Sequence, residues 1–450
     1  MREFVTDLLR RQGDDVPVFS HEHTVTHGEL RAAVAAEAGL FAASGVGEGS
    51  TVALHVPPSF THWEAALALW SLGARVVSVD HRLKPAEVDV LRDLTRPQFV
   101  VRASGRSDGA FRERHELVIE PVADGRPAAT RHRLVQFTSG STGRPKVVGR
   151  STESIIREVM RIGAAEGMPQ RGERFLMLNS TAQSFGIVGG LLHALAAGVH
   201  LVFAERPSAE HVLRTAARHE VDFITGVPFH FELLAAAADR SALRTVRGAF
   251  AGGELMPPEV ADRFAAAYGF MVGECFGTTE TGALAMDVAG ATRPSVGKPL
   301  SDTTIRVRDG LVEVALDQSP YLDGGEPGRY LDGWFRTGDR GEFDARGNLR
   351  LLGRADSLVV VRGSNVDLTQ VEAALRSHPL VTEAIAVHDA AIEAYVSTGS
   401  EALTPDVLAT WCAERLAEFK QPARFHVLPA LPRTPSGKLV RNPEVLADAR

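Results

Sequence analysis

Between residues 26 and 101 the chain alternates helix-like and strand-like patterns, and this restricts its fold more than any other feature. Thr26-His27-Gly28-Glu29 has capping-box spacing and opens a helix carried by its apolar positions to Ala43. Residues 51–56 read as a buried strand, 63–72 as a helix and 74–79 as a second buried strand. A helix from Pro85 to Leu94 then precedes a strand over 98–101. Buried strands separated by helices need crossover connections, so a mainly parallel sheet covered by helices is expected. The rhythm resumes after Lys146. Helices over 153–165, 209–219 and 257–268 precede strands over 175–178, 222–225 and 270–272.

The texture changes at about residue 296. Short alternating strands with Gly/Asp turns continue to 352, including a hairpin over 305–314 around Asp309-Gly310 and another turning at 344–347. The last hundred residues read as a small α+β unit, with helices over 368–376 and 405–418. Thr404 caps the second and Pro405 takes its first position. The most apolar run, 186–204, is interrupted by His193 and His200 and split by Gly198. It therefore reads as a buried helix followed by a buried strand rather than as a membrane span.

The net charge of −7 over 450 residues, without a basic patch, argues against a nucleic-acid partner. Two cysteines, Cys275 and Cys412, form neither a disulfide framework nor a zinc pattern. The charged stretch 1–11 lacks the apolar core of a signal peptide, so a cytoplasmic protein without a membrane partner is expected. His21, His23 and His27 have spacing that a metal could use, but no carboxylate or cysteine pattern joins them, and exposed structural histidines are the better reading.

The chemistry concentrates in a few blocks. Phe137-Thr-Ser-Gly-Ser-Thr-Gly-Arg-Pro-Lys146 sets hydroxyls and two glycines ahead of a lysine. Glycines let backbone N–H groups turn toward a ligand, hydroxyls add donors and the lysine adds charge, which suits a polyphosphate. The spacing is not that of the common P-loop, and alone the run also fits an ordinary loop. Phe276-Gly-Thr-Thr-Glu280 follows, then Trp334-Phe-Arg-Thr-Gly-Asp339, Gly353-Arg-Ala-Asp356 and Pro432-Arg-Thr-Pro-Ser-Gly-Lys438.

These five blocks, in this order, resemble the adenylate-forming superfamily of acyl- and aryl-CoA synthetases, nonribosomal adenylation domains and firefly luciferase. The resemblance runs from about Thr26 to Arg441. It implies an α/β protein. The large N-terminal domain, 1–353, has parallel-sheet layers and a small β-barrel-like part. The small mobile α+β C-terminal domain, 354–450, turns about a hinge at Asp356.

The implied reaction joins a carboxylate to the α-phosphate of ATP, releases pyrophosphate and then passes the acyl group to a thiol. Thr138, Ser139, Gly140, Ser141, Thr142, Gly143 and Lys146 would cover the phosphates. Gly253 and Glu254 would flank the nucleotide, as would the block of Glu274, Cys275, Phe276, Gly277 and Thr278, with the Phe276 ring against adenine. Thr279 would meet the α-phosphate and Glu280 would hold Mg²⁺, a hard cation suited to carboxylate oxygen. Asp339 and Arg354 would contact the ribose. Lys438 would bridge carboxylate and phosphates as a positioned charge. Outside this context each reads more simply: Glu280 as a surface carboxylate, Asp339 as a turn residue, Arg354 and Lys438 as solvated cations. Gly363 would line the thiol's route. A catalytic role for Cys275 is not expected, because no partner histidine stands nearby in sequence.

The acid pocket is assigned to Asn179, Ser184, Phe229 and Gly252. No acidic residue falls between Leu176 and Ala204, which disfavours an α-amino acid substrate. Gln183 stands where many acyl-CoA synthetases have histidine, and Asn179 resembles an asparagine that meets a ring hydroxyl in aryl-acid enzymes. A role in tying down loop backbone fits Asn179 and Ser184 nearly as well. Val147 and Val360 depart from the family's glycine and basic residue. Activation of an aryl acid is therefore expected, using ATP and Mg²⁺, with coenzyme A or carrier-protein phosphopantetheine as acceptor, by a monomer or homodimer. O-succinylbenzoate-like and medium-chain acyl-CoA ligases are alternatives. A catalytically inactive nucleotide-binding scaffold is the alternative of another class, and the retained Thr279, Glu280, Asp339, Arg354 and Lys438 argue against it.

Overall fold

The computed structural model describes the chain apart from residues 84, 106–108, 139–144, 238, 324, 326–327, 362–363, 389–390, 417 and 435–436. At 86, 240, 356, 358, 360, 361, 364, 365, 367, 370 and 419 it describes only the main chain. The expected alternation produces two large sheets. One has nine strands, in the order Lys298–Pro299, Gly282–Asp287, Val272–Thr278, Gly248–Gly252, Phe223–Gly226, Arg174–Met177, His200–Val202, Pro17–Ser20 and Thr24–Thr26. From Val272–Thr278 to Pro17–Ser20 every pairing is parallel, and antiparallel strands close both edges.

The second sheet has seven strands, in the order Tyr321–Asp323, Lys146–Ser151, His132–Thr138, Arg75–Ser78, Thr51–His55, Phe99–Ala103 and Leu117–Pro121. Its four middle strands are parallel.

Helix starts follow their sequence signals. Thr26 caps His27–Ala43 with both bonds of a capping box. Ser59 caps Phe60–Ser71, whose residues from Phe60 to Trp70 are all buried. A helix buried all round belongs in an interior. Trp63 packs on Phe19 and Phe203 at centroid distances of 5.3 and 4.9 Å. Buried phenylalanines such as Phe19 and Phe60 contribute roughly 1.5–3 kcal/mol each.

The expected buried helix over the apolar run begins as a π-helix, Phe185–Leu192, continues as His193–Ala197, and ends at Gly198 with φ +74° before the strand His200–Val202. The strand expected over 270–272 instead begins at Val272 and runs to Thr278, while Phe270 packs its ring on Phe264 at 5.4 Å. His27 is buried, not exposed as expected, because the helix it opens lies against the core.

The β-rich part expected over 296–352 contributes to a five-stranded sheet of Ile305–Arg308, Leu311–Ala315, Trp334–Phe343 and Tyr330–Leu331, with Leu349–Arg354 paired on Trp334–Phe343. Its first hairpin turns at Asp309-Gly310, with φ of +52° and +76°.

The chain divides into two compact units. The first comprises Met1–Arg306, Glu313–Phe335 and Phe343–Arg350. The second comprises Val307–Val312, Arg336–Glu342 and Leu351–Arg450. In the second unit, Glu383–His388 pairs antiparallel with Ile392–Ser397, which runs parallel to Arg424–Leu428. The helices Leu368–Arg376 and Pro405–Ala413 supply Val371, Leu375, Leu408 and Cys412 to its core. The second helix ends at Ala413, short of the expected 418.

Candidate active site

Four neighbouring parallel strands of the nine-stranded sheet, Arg174–Met177, Phe223–Gly226, Gly248–Gly252 and Val272–Thr278, end side by side. Asn179, Phe229, Gly252-Gly253 and Phe276-Gly277-Thr278 lie at or just beyond those ends. Ligands of open parallel sheets bind outside the carboxyl ends of strands, where loops can vary without disturbing the sheet. Residues spread over a hundred positions of sequence thus meet along one rim.

The first loop is half-buried and tied down by hydrogen bonds. Leu178 N–H donates to Thr225 O at 2.9 Å. The Ala182 carbonyl accepts from Ser78 Oγ at 2.8 Å and from Gln136 Nε2 at 3.0 Å, both from the seven-stranded sheet. His62 is fully buried, and burial pushes its imidazole down to about 4 against the pull of the Val56 and Thr181 carbonyls, so it adds no charge here. Gly186 is required by close approach, since a Cβ there would lie 2.1 Å from Ser180 O. Asn179 is only 9 % exposed and its Oδ1 has no hydrogen-bond partner among the described residues; Ser184 Oγ is likewise buried without one. Buried polar atoms are usually paired, so both oxygens are open to a hydrogen bond from outside the described protein atoms. Phe229, by contrast, is exposed at the start of the helix Pro228–Ala237.

Two of the blocks expected to flank a nucleotide, 252–254 and 274–280, lie on the same rim. Gly253 adopts φ +89°, the left-handed region open to glycine, as the chain leaves its strand. Glu274 accepts from Met256 N–H at 3.0 Å and so ties down the same turn. Burial raises the Glu274 carboxyl, opposed by that bond and by Arg293, 3.7 Å away. The Cys275 side chain lies in the hydrophobic core, and burial pushes its thiol up to about 12. Phe276 is 8 % exposed. Thr278 and Gly282 face each other across the hairpin that presents Thr279 and Glu280 at its tip. Gly277 permits that closeness, because a Cβ would stand 2.5 Å from Gly282 O.

A buried ion pair lies next to this hairpin. Arg150 Nη2 donates to Glu158 Oε2 at 2.7 Å, with side chains 3 % and 1 % exposed, and Glu158 Oε1 accepts from Ala283 N–H at 2.9 Å. At the tip of the hairpin Tyr321 Oη donates to Glu280 Oε1 at 3.0 Å. Neither Glu158, Arg150 nor Tyr321 belongs to a block that sequence reasoning picked out. Glu158 sits in a helix among charged residues and Tyr321 in a run without local pattern.

Thr138 and Lys146 pair across the strands that lead into and out of 139–144. The expected contacts of Ser139, Gly140, Ser141, Thr142 and Gly143 lie outside the described residues, as does Gly363. Lys146 is 6 % exposed, with Nζ 5.8 Å from the centroid of the Tyr321 ring. In the second unit Arg354 Nη1 donates to Asp339 Oδ1 at 3.2 Å, while Asp339 N–H donates to Thr337 Oγ1 at 3.1 Å. Lys438 is exposed on a hairpin closed by Thr434 N–H to Lys438 O at 2.7 Å.

Among the described residues no three His, Cys, Asp or Glu side chains gather as a metal-binding group, the three N-terminal histidines included. Mg²⁺ held by one carboxylate and substrate phosphates needs no such group. Glu280 fits that use, with one oxygen anchored and the carboxylate partly open to solvent. No helix of the described residues is long and apolar enough to cross a membrane.

A rim of this kind, outside the carboxyl ends of a parallel sheet, is where an α/β enzyme holds a small-molecule ligand. Residues 6–320 match the family model for the AMP-binding enzyme, and residues 370–438 match that for its C-terminal domain. The chain belongs to the AMP-binding enzyme family, and the resemblance to the adenylate-forming superfamily holds. Sulfoacetate–CoA ligase of Cupriavidus necator is 28 % identical over 93 % of this chain and 92 % of its own. Anthranilate–CoA ligase of Pseudomonas aeruginosa is 31 % identical over 68 % of this chain and 65 % of its own. The structure of Bacillus subtilis o-succinylbenzoate CoA synthetase with its acyl-adenylate intermediate superimposes with a TM-score of 0.83 at 25 % identity, covering 98 % of this chain and 97 % of that one.

Proposed function

We propose that the protein is an AMP-forming acid–thiol ligase that activates an aryl acid bearing a hydrogen-bond donor. ATP and the acid's carboxylate form an acyl-adenylate and pyrophosphate, and a thiol then displaces AMP to give the thioester. Relatives named for coenzyme A support coenzyme A as the acceptor; a carrier-protein phosphopantetheine is the other candidate. In this reading 139–144, Thr138 and Lys146 attend the phosphates, Thr279 the α-phosphate, Glu280 the Mg²⁺, and Asp339 with Arg354 the ribose. Mg²⁺, when bound, neutralises phosphate charge. Lys438 acts from the C-terminal domain, 354–450, which turns about Asp356, with Gly363 on the thiol's path. The same reading places the protein in the cytoplasm, as a monomer or homodimer. Both free, buried cysteines suit a reducing compartment.

The substrate class rests on one observation, the buried and unpaired Oδ1 of Asn179. Relatives named for sulfoacetate and for anthranilate show how widely the acid varies within the family, so the pocket itself must decide. An acceptor in a dry site favours an amino or hydroxyl substituent and penalises an acid that lacks one. Asn179→Leu is expected to lower the specificity constant for anthranilate or salicylate about 10–100-fold relative to benzoate, the equivalent of ~1–3 kcal/mol. ATP–pyrophosphate exchange with these acids and a medium-chain fatty acid, in wild type and variant, tests this. Equal losses for every acid would reduce Asn179 to loop support, and a wild-type preference for the fatty acid would overturn the aryl reading.

Asp339→Ala is expected to raise the KM for ATP by roughly 10-fold or more, from the loss of charge-assisted hydrogen bonds. The increase should be the same with two different acids. A change confined to one acid would place Asp339 in the acid pocket instead.

A further inference from the structure

We infer that Tyr321 is a positioning residue for the Glu280 carboxylate, fixing it to receive the divalent cation; this rests on the metal role given to Glu280 above. Tyr321 begins the short strand Tyr321–Asp323, which adds to the edge of the seven-stranded sheet with Tyr321 opposite Val148. Gly149 N–H donates to Pro320 O at 2.9 Å, and Tyr321 N–H donates to Ser319 Oγ at 3.3 Å. The main chain of Tyr321 is therefore fixed to the strand that leaves the phosphate hairpin. Its ring is fixed too. Phe335, 1 % exposed, packs edge-on at 5.9 Å, and Gly325 lies so close that a Cβ there would meet the ring at 2.7 Å.

From this seat the hydroxyl reaches out of its own sheet and donates 3.0 Å to Glu280 Oε1, at the tip of a hairpin of the nine-stranded sheet. One side chain thus ties the two sheets together at the carboxylate. Lys146 Nζ stands 5.8 Å from the centroid of the same ring. An ionised carboxylate has about four lone-pair sites. Tyr321 takes one on Oε1, which restrains that oxygen and leaves the others for a cation. Partners that orient a ligand without touching the metal commonly change metal affinity about 10–100-fold when removed. A tyrosine serving only to fill space would act through its ring, and phenylalanine would replace it without loss.

The test is calorimetric titration of Mg²⁺ into the full chain saturated with α,β-methylene-ATP, a non-reacting analogue, for wild type, Tyr321→Phe, Glu280→Gln and the double variant. Tyr321→Phe keeps the ring packing, and its melting temperature checks that the fold is intact. It is expected to weaken Mg²⁺ binding about tenfold, and to add nothing further once Glu280→Gln is present, because both act through one carboxylate. Unchanged or tighter Mg²⁺ binding in Tyr321→Phe, alongside clear weakening in Glu280→Gln, overturns the role of Tyr321 and leaves that of Glu280 standing. A full tenfold loss that persists in the Glu280→Gln background also overturns it. If Glu280→Gln itself binds Mg²⁺ as wild type does, the metal role of Glu280 fails and this inference fails with it.

Discussion

Lys438→Ala should lower ATP–pyrophosphate exchange by roughly two to three orders of magnitude, the usual effect of removing one fixed donor from developing negative charge. Thioester formation from supplied acyl-adenylate should persist. The local structure favours a presenting role. Lys438 N–H donates to Thr434 Oγ1 at 3.2 Å, Arg433 bridges Leu439 across the hairpin, and Gly437 turns it with φ +87°. Its side chain is exposed and so able to meet an anionic ligand. The two half-reactions are assayed separately. Near-normal exchange in the variant would remove Lys438 from the adenylation step, and loss of both half-reactions in a folded protein would show that its effect is not confined to the first.

The second large effect is expected on stability. Glu158→Ala leaves Arg150 charged and buried, and deprives Ala283 N–H of its acceptor. Breaking a buried pair from one side costs about 3–5 kcal/mol, because the remaining charge is stranded away from water. The urea midpoint of the first unit should fall accordingly. Glu158→Gln keeps an acceptor for Ala283 and should lose less. Replacing both members by methionine should recover part of the loss, since a dry apolar pair strands no charge. An unchanged midpoint in Glu158→Ala would mean that water reaches the pair.

The two predictions differ in how visible their residues were. Lys438 stands out through its block, which is short but carried by its neighbours. Glu158 was not found, because a glutamate in Thr152–Gly163, beside Arg157 and Arg161, reads as part of a solvated face. What buries it is the strand after Glu280, more than a hundred residues away, where Gly282 has φ +72° and a Cβ would sit 2.2 Å from Glu158 Oε2. Tyr321 escaped for the same reason. Its partners lie on two sheets, and no local spacing records them.

The layered fold was legible because each crossover unit is written in consecutive residues: a capped helix, a turn, a buried run. The π-helix over Phe185–Leu192 was not. Its glycines weaken any periodic signal, and they are there for contacts. A Cβ at Gly190 would stand 2.3 Å from Met177 Sδ, and one at Gly189 2.6 Å from the Phe185 ring. The loop assigned to the acid was read as a position but not as an environment. Asn179 could have been bonding its own backbone, and burial without a partner is a property of the folded loop.

The two cysteines bear on selectivity of a different kind. Acyl-adenylates acylate any thiolate they meet, so an enzyme that makes one is exposed to labelling itself. Both thiols of this chain are buried, and burial pushes Cys275 up to about 12 and Cys412 up to about 11. Cys275 lies one residue from Phe276 at the rim, yet the core keeps its sulfur protonated and out of reach. The fold therefore leaves the activated acyl group to an incoming thiol rather than to one of its own.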